Sequence, residues 1–315
     1  MGTISTPPAG TITRVAAGST GAPHVAGNGG VVVWPQAHNG HMAIMKYDHG
    51  SLSQISEDGY DCTNPVLSDD GSVCVYSRFT PSHDTVPASF DIYKNENGVN
   101  TPVVETAGNE FATAVSGDGK VIAWDDDMQT QWHMFRVGKS EDGKVTYLTN
   151  GKIDAECPFI ADANNQVFFV EHSAGRTRIS AEQPDGTTAP VAYDESGMVF
   201  PDVTRDGKTL TWSGAVGDFS VLKTCTDGHI TIARQAPKTD YLWSQINGDG
   251  TQMVWTAFDR NVPDPSHPDT SILYTDGTDT FTMQKNDGPV IPVMPDISKD
   301  GSTMAWFTVN LDNPN

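Results

Sequence analysis

The chain has 315 residues, 37% of them hydrophobic and 19% charged, which is enough apolar sequence for a folded core and unlike a disordered chain. Its 19 Lys and Arg residues face 40 Asp and Glu residues, so the net charge is −21 at pH 7. That charge repels phosphate backbones, and we expect no nucleic-acid partner. No apolar run approaches the roughly 18 residues of a membrane-spanning helix, so we expect no membrane insertion.

The N-terminal sequence MGTISTPPAGTITRV lacks the basic region and apolar run of a signal peptide. A secreted domain from which a leader had been removed would look the same. The cysteines follow no metal-ligand spacing, and we expect free thiols unless the fold brings two of them together. They are Cys62, Cys74, Cys157 and Cys225.

The chain opens with a strand, turn and strand pattern over residues 2–16, and a longer unit then recurs seven times. The unit has Pro or a small residue, an apolar residue, Ser or another small residue, a turn with Gly or Asn, and a strand that usually ends in an aromatic residue. We predict one inner hairpin for each unit, at about 22–34, 64–76, 112–124, 157–170, 200–212, 243–255 and 294–306. The last residues of successive units are 42, 48, 46, 42, 43 and 51 residues apart.

Turn chemistry supports the hairpins, because Asp-Gly pairs such as 70–71 and 118–119 supply the positive φ that tight turns need. A second hairpin follows every unit except the last. In the first unit it consists of the strands MAIMKY and SLSQIS, joined by the turn DHG. Four strands in each period indicate the blades of a β-propeller. The aromatic residues that end the units should pack between blades. They are Trp34, Tyr76, Trp124, Trp212, Trp255 and Trp306.

The seventh unit ends at Trp306, which leaves too few residues for its outer hairpin. Residues 2–16 could supply that hairpin and close the ring with strands from both termini, which would also remove free sheet edges. We therefore predict an all-β fold: one monomeric domain over residues 1–315, a single seven-bladed propeller of four-stranded antiparallel blades.

The pattern P-x-(I/V)-S-x-D-G-x-x-(V/M)-x-W, followed by a strand such as FDIYK or SILYT, resembles the WD-like repeats of TolB-type β-propellers over nearly the whole chain. The resemblance is specific for the fold. It is not specific for function, because such propellers serve as periplasmic scaffold subunits, as peptidase and lyase domains, and as modules of secreted calcium-binding proteins.

In a propeller, the loops between the hairpins and those leading into the inner strands share one face, and here they are rich in Asp and His. Plain solvation of an acidic protein is one explanation of this enrichment. Calcium is a second, because clustered aspartates offer the oxygen ligands that it prefers, although no known calcium-loop spacing is present. The candidate ligands are Asp125, Asp126, Asp127, Asp259, Asp264 and Asp269.

Acid–base catalysis is a third explanation, with a His or Tyr of one blade facing a carboxylate of another, as in propeller-fold polysaccharide lyases. No catalytic motif supports it. The candidates are His133, His172, Arg176 and Tyr241. A protein or glycan ligand is a fourth, because aromatic and Arg side chains anchor interfaces. Its candidates are Trp132, Trp243, Phe258 and Arg260.

The sequence favours a non-enzymatic propeller that binds a protein or carbohydrate on its loop-rich acidic face, with calcium as the one cofactor considered. A polysaccharide lyase or another glycan-processing enzyme is the alternative. The acidic composition and the resemblance lead us to expect a secreted or periplasmic protein.

Overall fold

The computed structural model describes residues 4–5, 21–82, 87–128, 134–173, 175–262 and 268–312. Within these ranges the chain forms β-strands joined by turns and loops. None of the described residues forms a helix that is long and apolar enough to cross a membrane.

Six antiparallel sheets, blades 1 to 6, each contain four strands in chain order. A two-residue strand, β1 (Ile4–Ser5), precedes them in the chain and pairs with the outer edge of blade 6. Blade 1 comprises β2 (His24–Val25), β3 (Val31–His38), β4 (His41–Asp48) and β5 (Ser51–Gln54). Blade 2 comprises β6 (Cys62–Leu67), β7 (Val73–Thr80), β8 (Ser89–Glu96) and β9 (Val99–Val104). Blade 3 comprises β10 (Glu110–Val115), β11 (Val121–Asp126), β12 (Arg136–Glu141) and β13 (Lys144–Tyr147).

The second half of the chain continues the arrangement. Blade 4 comprises β14 (Asp154–Ala161), β15 (Gln166–Ser173), β16 (Arg176–Glu182) and β17 (Thr188–Asp194). Blade 5 comprises β18 (Val199–Val203), β19 (Thr209–Val216), β20 (Phe219–Thr226) and β21 (His229–Arg234). Blade 6 comprises β22 (Thr239–Ile246), β23 (Met253–Asp259), β24 (Asp269–Thr275) and β25 (Thr280–Lys285). The C-terminal hairpin comprises β26 (Val290–Ile297) and β27 (Met304–Asn310).

The all-β propeller with four-stranded antiparallel blades is confirmed, but the prediction of seven such blades is wrong. Five blades are four-stranded sheets, the sheet of blade 6 has β1 as a fifth strand, and the seventh unit is the two-stranded C-terminal hairpin. Of residues 2–16, the structure describes Ile4 and Ser5, which pair in parallel with Thr280 and Phe281 at the outer edge of blade 6. A sheet edge accepts any extended segment, so the strand pattern of residues 2–16 could not specify which edge it would meet.

Hydrogen bonds link the Asp-Gly turns of successive units around the axis, on the side of the molecule that we call the turn face. They run from Asn28 N to Asp69 O, Asp69 N to Gly117 O, Gly117 N to Asp162 Oδ1, Ala163 N to Arg205 O, Arg205 N to Gly248 O, Gly248 N to Lys299 O, and Asp300 N to Gly27 O. Each is between 2.7 and 2.9 Å long. The last of them joins the C-terminal hairpin to blade 1, and this contact does not involve residues 2–16.

Aromatic side chains at the shared repeat position fill the spaces between blades. Trp124 and Trp212 are completely buried, and Trp34 is 3% exposed. Trp306, in the C-terminal hairpin, is only partly buried, where it packs against the core of blade 6. The hairpin has no outer strands among the described residues, and this explains the greater exposure of Trp306.

We predict that Gly138→Ala destabilises the protein through the indole of Trp124. A Cβ atom at Gly138 would lie 2.6 Å from Trp124 Cε2, and both residues are buried in the sheet. Overpacking of this kind costs about 1–3 kcal/mol in the free energy of unfolding. Chemical denaturation of Gly138→Ala, of Trp124→Phe and of the double variant measures the change in the free energy of unfolding. The smaller ring should relieve part of the clash, so purely additive effects would contradict the prediction.

Candidate functional site

One residue from the inner strand of each unit lines an axial channel. These seven residues occupy the same repeat position, two residues before the small residue that precedes the turn. They are His24, Val66, Ala114, Phe159, Asp202, Gln245 and Asp296. The cavity that they enclose has a volume of about 150 Å³. Because every unit contributes a residue at this position, the repeat builds much of the wall of the channel, and further residues such as Thr113, Asp162 and Lys299 complete it.

The wall of the axial channel has two chemically distinct halves. The apolar arc consists of Val66, Ala114 and Phe159, from blades 2, 3 and 4. The polar arc follows in ring order as Asp202, Gln245, Asp296 and His24, from blades 5 and 6, the C-terminal hairpin and blade 1. A ligand in this channel would therefore need both a polar and an apolar side.

An ion pair narrows the channel at the turn face. Arg205 Nη1 lies 2.7 Å from Asp69 Oδ2, so a side chain of blade 5 meets one of blade 2 across the axis. Glycines make room for the carboxylate: a Cβ atom would lie 1.9 Å from Asp69 Oδ1 at Gly27 and 2.6 Å from Asp69 Oδ2 at Gly117. The opposite side of the molecule, the loop face, carries the loops that connect β3 to β4 and the corresponding strands of the other blades.

A β-bulge occurs at the start of most inner strands, where the channel meets the loop face. The bulged residues share positive φ angles, and the register of each pair shifts there. They are Asn64 (51°), Cys157 (52°), Phe200 (53°), Trp243 (54°) and Met294 (49°). Positive φ is strained for bulky side chains, and bulges re-aim the side chains around them. The bulge thus turns the next residues of each strand towards the axis.

Two of the bulged residues belong to a cluster of rings, the aromatic patch, formed by Phe200, Trp243 and Phe258. The ring centre of Trp243 lies 5.6 Å from that of Phe200 and 5.6 Å from that of Phe258. Phe200 is 43% exposed, and the other two rings are partly exposed. The patch therefore presents a continuous aromatic surface on blades 5 and 6.

The structure brings together two of the predicted ligand-binding residues, Trp243 and Phe258. Arg260 follows two residues after Phe258, pairs through Nε with the carboxylate of Asp240, and has its guanidinium 5.7 Å from the ring centre of Phe219. Trp132 lies outside the described residues. Sequence reasoning missed Phe200, although it holds the same repeat position as Trp243 and could have been found by aligning the two units.

Two of the predicted catalytic residues, His172 and Arg176, lie on paired strands of blade 4. His172 Nε2 lies 2.9 Å from Glu156 Oε1 in blade 4, and this contact raises the pKa of His172. Arg176, in the same blade, lies 3.8 Å from the carboxylate of Glu195. Tyr241 belongs to blade 6, where its ring packs edge-on against Trp255. His133 lies outside the described residues.

The first predicted calcium group, Asp125 to Asp127, is engaged with protein partners. Burial raises the pKa of Asp125 to about 7, and its Oδ2 accepts a hydrogen bond from Cys157 N at 3.2 Å. Asp126 Oδ2 receives hydrogen bonds from Arg136 Nε at 2.8 Å and Nη2 at 2.6 Å. Asp127 accepts bonds from the backbone and side-chain nitrogens of Asn109 at 2.9 and 2.7 Å.

The second predicted calcium group lies at the long loop of blade 6. Asp259 and Asp269 are opposite each other in the pairing of β23 with β24, and Asp259 Oδ1 accepts a hydrogen bond from Asn261 N at 2.8 Å. Asp264 lies outside the described residues. Over the part of the chain that the structure describes, no three His, Cys, Asp or Glu side chains are grouped to hold a metal ion.

Glu110 is a further ionisable group, which sequence reasoning did not single out as a site residue. Its side chain is completely buried beside blade 2, and Oε2 has no hydrogen-bond partner within the described structure. Burial is the main cause that raises the pKa of Glu110 to about 8. The hydrogen bond from Thr106 opposes this rise, and the neighbouring carboxylates of Asp126 and Asp91 contribute to it.

We predict that Glu110→Gln stabilises the protein selectively at alkaline pH. The folded pKa of Glu110 lies above the ordinary value of 4.5, so its stabilising contribution is complete below pH 4.5 and is lost as the pH rises through 8. Melting temperatures of wild type and variant at about pH 5 and about pH 9 measure the effect. The advantage of the variant should grow with pH. A constant difference between the two proteins would contradict the assignment.

Neither a protein-family model nor a curated protein matches the sequence. Solved structures do match. TolB from Acinetobacter baumannii is 15% identical, with a TM-score of 0.58, over 89% of this chain and 67% of that chain. Oligogalacturonate lyase from Vibrio parahaemolyticus is 11% identical, with a TM-score of 0.63, over 92% of this chain and 89% of that chain.

A puromycin-hydrolyzing peptidase of Mycobacterium tuberculosis is 11% identical, with a TM-score of 0.64, over 93% of this chain but only 51% of that chain. The similarity to TolB-type propellers is thereby confirmed at the level of the fold. At these identities the comparisons show the fold alone, because one propeller scaffold carries binding, lyase and peptidase proteins.

Proposed function

We propose that this chain is a non-enzymatic propeller that binds a protein or carbohydrate partner on its loop face, with the aromatic patch as the main contact. The observation that carries the proposal is the exposed cluster of Phe200, Trp243 and Phe258. Aromatic side chains supply large contact areas with little loss of conformational entropy and dominate interface hot spots.

The positive-φ bulge that recurs in five units places two large rings side by side in the patch. Phe200 and Trp243 both have positive φ angles, at 53° and 54°. Such conformations cost roughly 1–3 kcal/mol each, and they concentrate at functional sites. Arg260, two residues after Phe258 and near the ring of Phe219, adds a charged group in the same blade, and Arg is enriched with aromatic residues at interfaces. A partner that covers the rings and contacts this guanidinium would use both features.

A polysaccharide lyase is the alternative, and the contact between His172 and Glu156 favours it, because a carboxylate can orient an imidazole for proton transfer. Against it, no contact joins Tyr241 of blade 6 to His172 or Arg176 of blade 4 in the described structure. The net charge of −21 also repels acidic polysaccharides. Calcium binding, a monomeric state and a secreted or periplasmic location stay predictions.

We predict that the patch variants Phe200→Ala and Phe258→Ala lose ligand binding. The probes are a phage-displayed random peptide library and a glycan array, each presented to the wild-type protein. Each substitution should weaken the selected ligands by about tenfold, the scale of an interface hot spot.

Tyr193→Ala is the matched control, since Tyr193 is 59% exposed on the outer strand of blade 4 and should leave affinity unchanged. Ligands that bind both patch variants as well as the wild type, or an absence of ligands in both libraries, would contradict the proposal.

For the alternative, we predict no ultraviolet absorbance from unsaturated products when the protein is incubated with acidic polysaccharides. His172→Ala and the control variant His229→Ala are compared with the wild type. His229 is a suitable control because it is exposed on β21, away from Glu156. Product formation that His172→Ala abolishes and His229→Ala preserves would replace the binding proposal with the lyase.

A further inference from the structure

The axial channel contains more buried negative charge than positive charge. Lys299 Nζ donates to Asp202 Oδ1 at 3.2 Å, and the carboxylates of Asp162 and Asp296 also act on it. Burial alone would lower the pKa of Lys299, but these three carboxylates raise it above the usual range. One ammonium group is therefore shared among three carboxylates.

The other charged groups of the channel do not correct this imbalance. Arg205 is paired with Asp69 at the turn face, at 2.7 Å. His24 Nδ1 accepts a hydrogen bond from Leu67 N at 3.2 Å, and its ring lies near the carboxylate of Asp296. The Arg205 guanidinium also acts on the carboxylate of Asp162. The channel therefore holds the four carboxylates of Asp69, Asp162, Asp202 and Asp296 against the two cations Arg205 and Lys299 and one imidazole.

Asp296 is the carboxylate with unused acceptor capacity. It is 9% exposed and lines the cavity, and its one hydrogen bond within the described structure runs from Val25 N to Oδ2, at 2.6 Å. Asp202, by contrast, accepts bonds from Val203 N and Ile246 N as well as Lys299. Burial raises the pKa of Asp296 against the opposing effects of His24, the hydrogen bond from Val25 N and Lys299.

The residues beside Asp296 on the channel wall determine which ligand could pair with its carboxylate. Gln245, next to it in the polar arc, has a side-chain amide whose oxygen can accept a further hydrogen bond. Across the channel, Val66, Ala114 and Phe159 offer no ligands to a metal ion but favour an alkyl chain. The volume of about 150 Å³ corresponds to about five water molecules at roughly 30 Å³ each.

We infer that the axial channel is a binding site for a primary ammonium group on a short alkyl chain. The ammonium donates hydrogen bonds to Asp296 Oδ1 and to the Gln245 amide oxygen, and the alkyl chain lies against the apolar arc. The ammonium comes either from a free amine or from a lysine side chain of a partner. This inference does not rest on the aromatic patch, so it can fail or succeed independently of the proposed function.

The test measures the melting temperature of the protein against the concentration of n-butylammonium chloride. Sodium chloride at equal ionic strength controls for charge screening, and 1-butanol controls for the alkyl chain. We expect a saturable rise with n-butylammonium that neither control produces, because a ligand that binds only the folded state stabilises it. An equal rise with sodium chloride or with 1-butanol would overturn the inference.

Asp296→Asn tests the site, because the amide oxygen can still accept the bond from Val25 N while the charge is removed. The affinity for n-butylammonium should fall by about tenfold or more, the scale of a hydrogen bond to a charged group. Asp276→Asn is the matched control, at an exposed turn of blade 6. Unchanged affinity in Asp296→Asn would overturn the inference. Should that variant not fold, Gln245→Leu provides the same comparison at a partly exposed position.

A capped Gly-Lys-Gly peptide distinguishes the two sources of the ammonium. Binding of both probes, each weakened by Asp296→Asn, supports a lysine side chain that enters from the loop face. Binding of n-butylammonium alone supports a free amine. If neither probe binds, the inference is overturned, while the proposal for the aromatic patch is unaffected.

Discussion

The hydrogen bonds that join one turn to the next around the axis are the constraint on which the rest of the structure depends. They use the residue that follows the small residue of each unit: Gly27, Asp69, Gly117, Asp162, Arg205, Gly248 and Lys299. Because these bonds set the spacing of the inner strands, they also set the width of the channel. They bring Arg205 within 2.7 Å of Asp69 across the axis and hold Lys299 among three carboxylates.

Glycine at three of these positions is a consequence of that crowding. At Gly248, a Cβ atom would lie 2.8 Å from Lys299 O, and at Gly27 and Gly117 it would overlap the carboxylate of Asp69. Charged side chains can occupy the remaining positions because glycine neighbours leave them space. The large side chains that fill the turn-face end of the channel therefore lie beside glycines that make room for them.

The acidic character of the chain reaches its interior as well as its surface. Asp296 in the channel and Glu110 in blade 3 are both buried, and burial raises the pKa of each carboxyl. A buried carboxylate without a full set of partners is costly unless it is protonated or meets a cation. The aromatic patch is chemically different, since it offers exposed rings rather than charge, and the two features therefore suit different ligands.

The sequence by itself determined the propeller, because seven copies of one unit, five of them with Asp-Gly turns, with alternating strands and a shared aromatic position, leave few other architectures. It also identified Trp243 and Phe258, which stand beside predicted loops. Only the tertiary structure decided that Phe200 joins them, that His172 meets Glu156 within its own blade, and that Ile4 and Ser5 pair with blade 6. A repeat specifies local hairpins and their faces through short-range turn and strand preferences. Which side chains meet across the axis, and which open edge a terminal strand joins, depends on contacts between residues far apart in the chain.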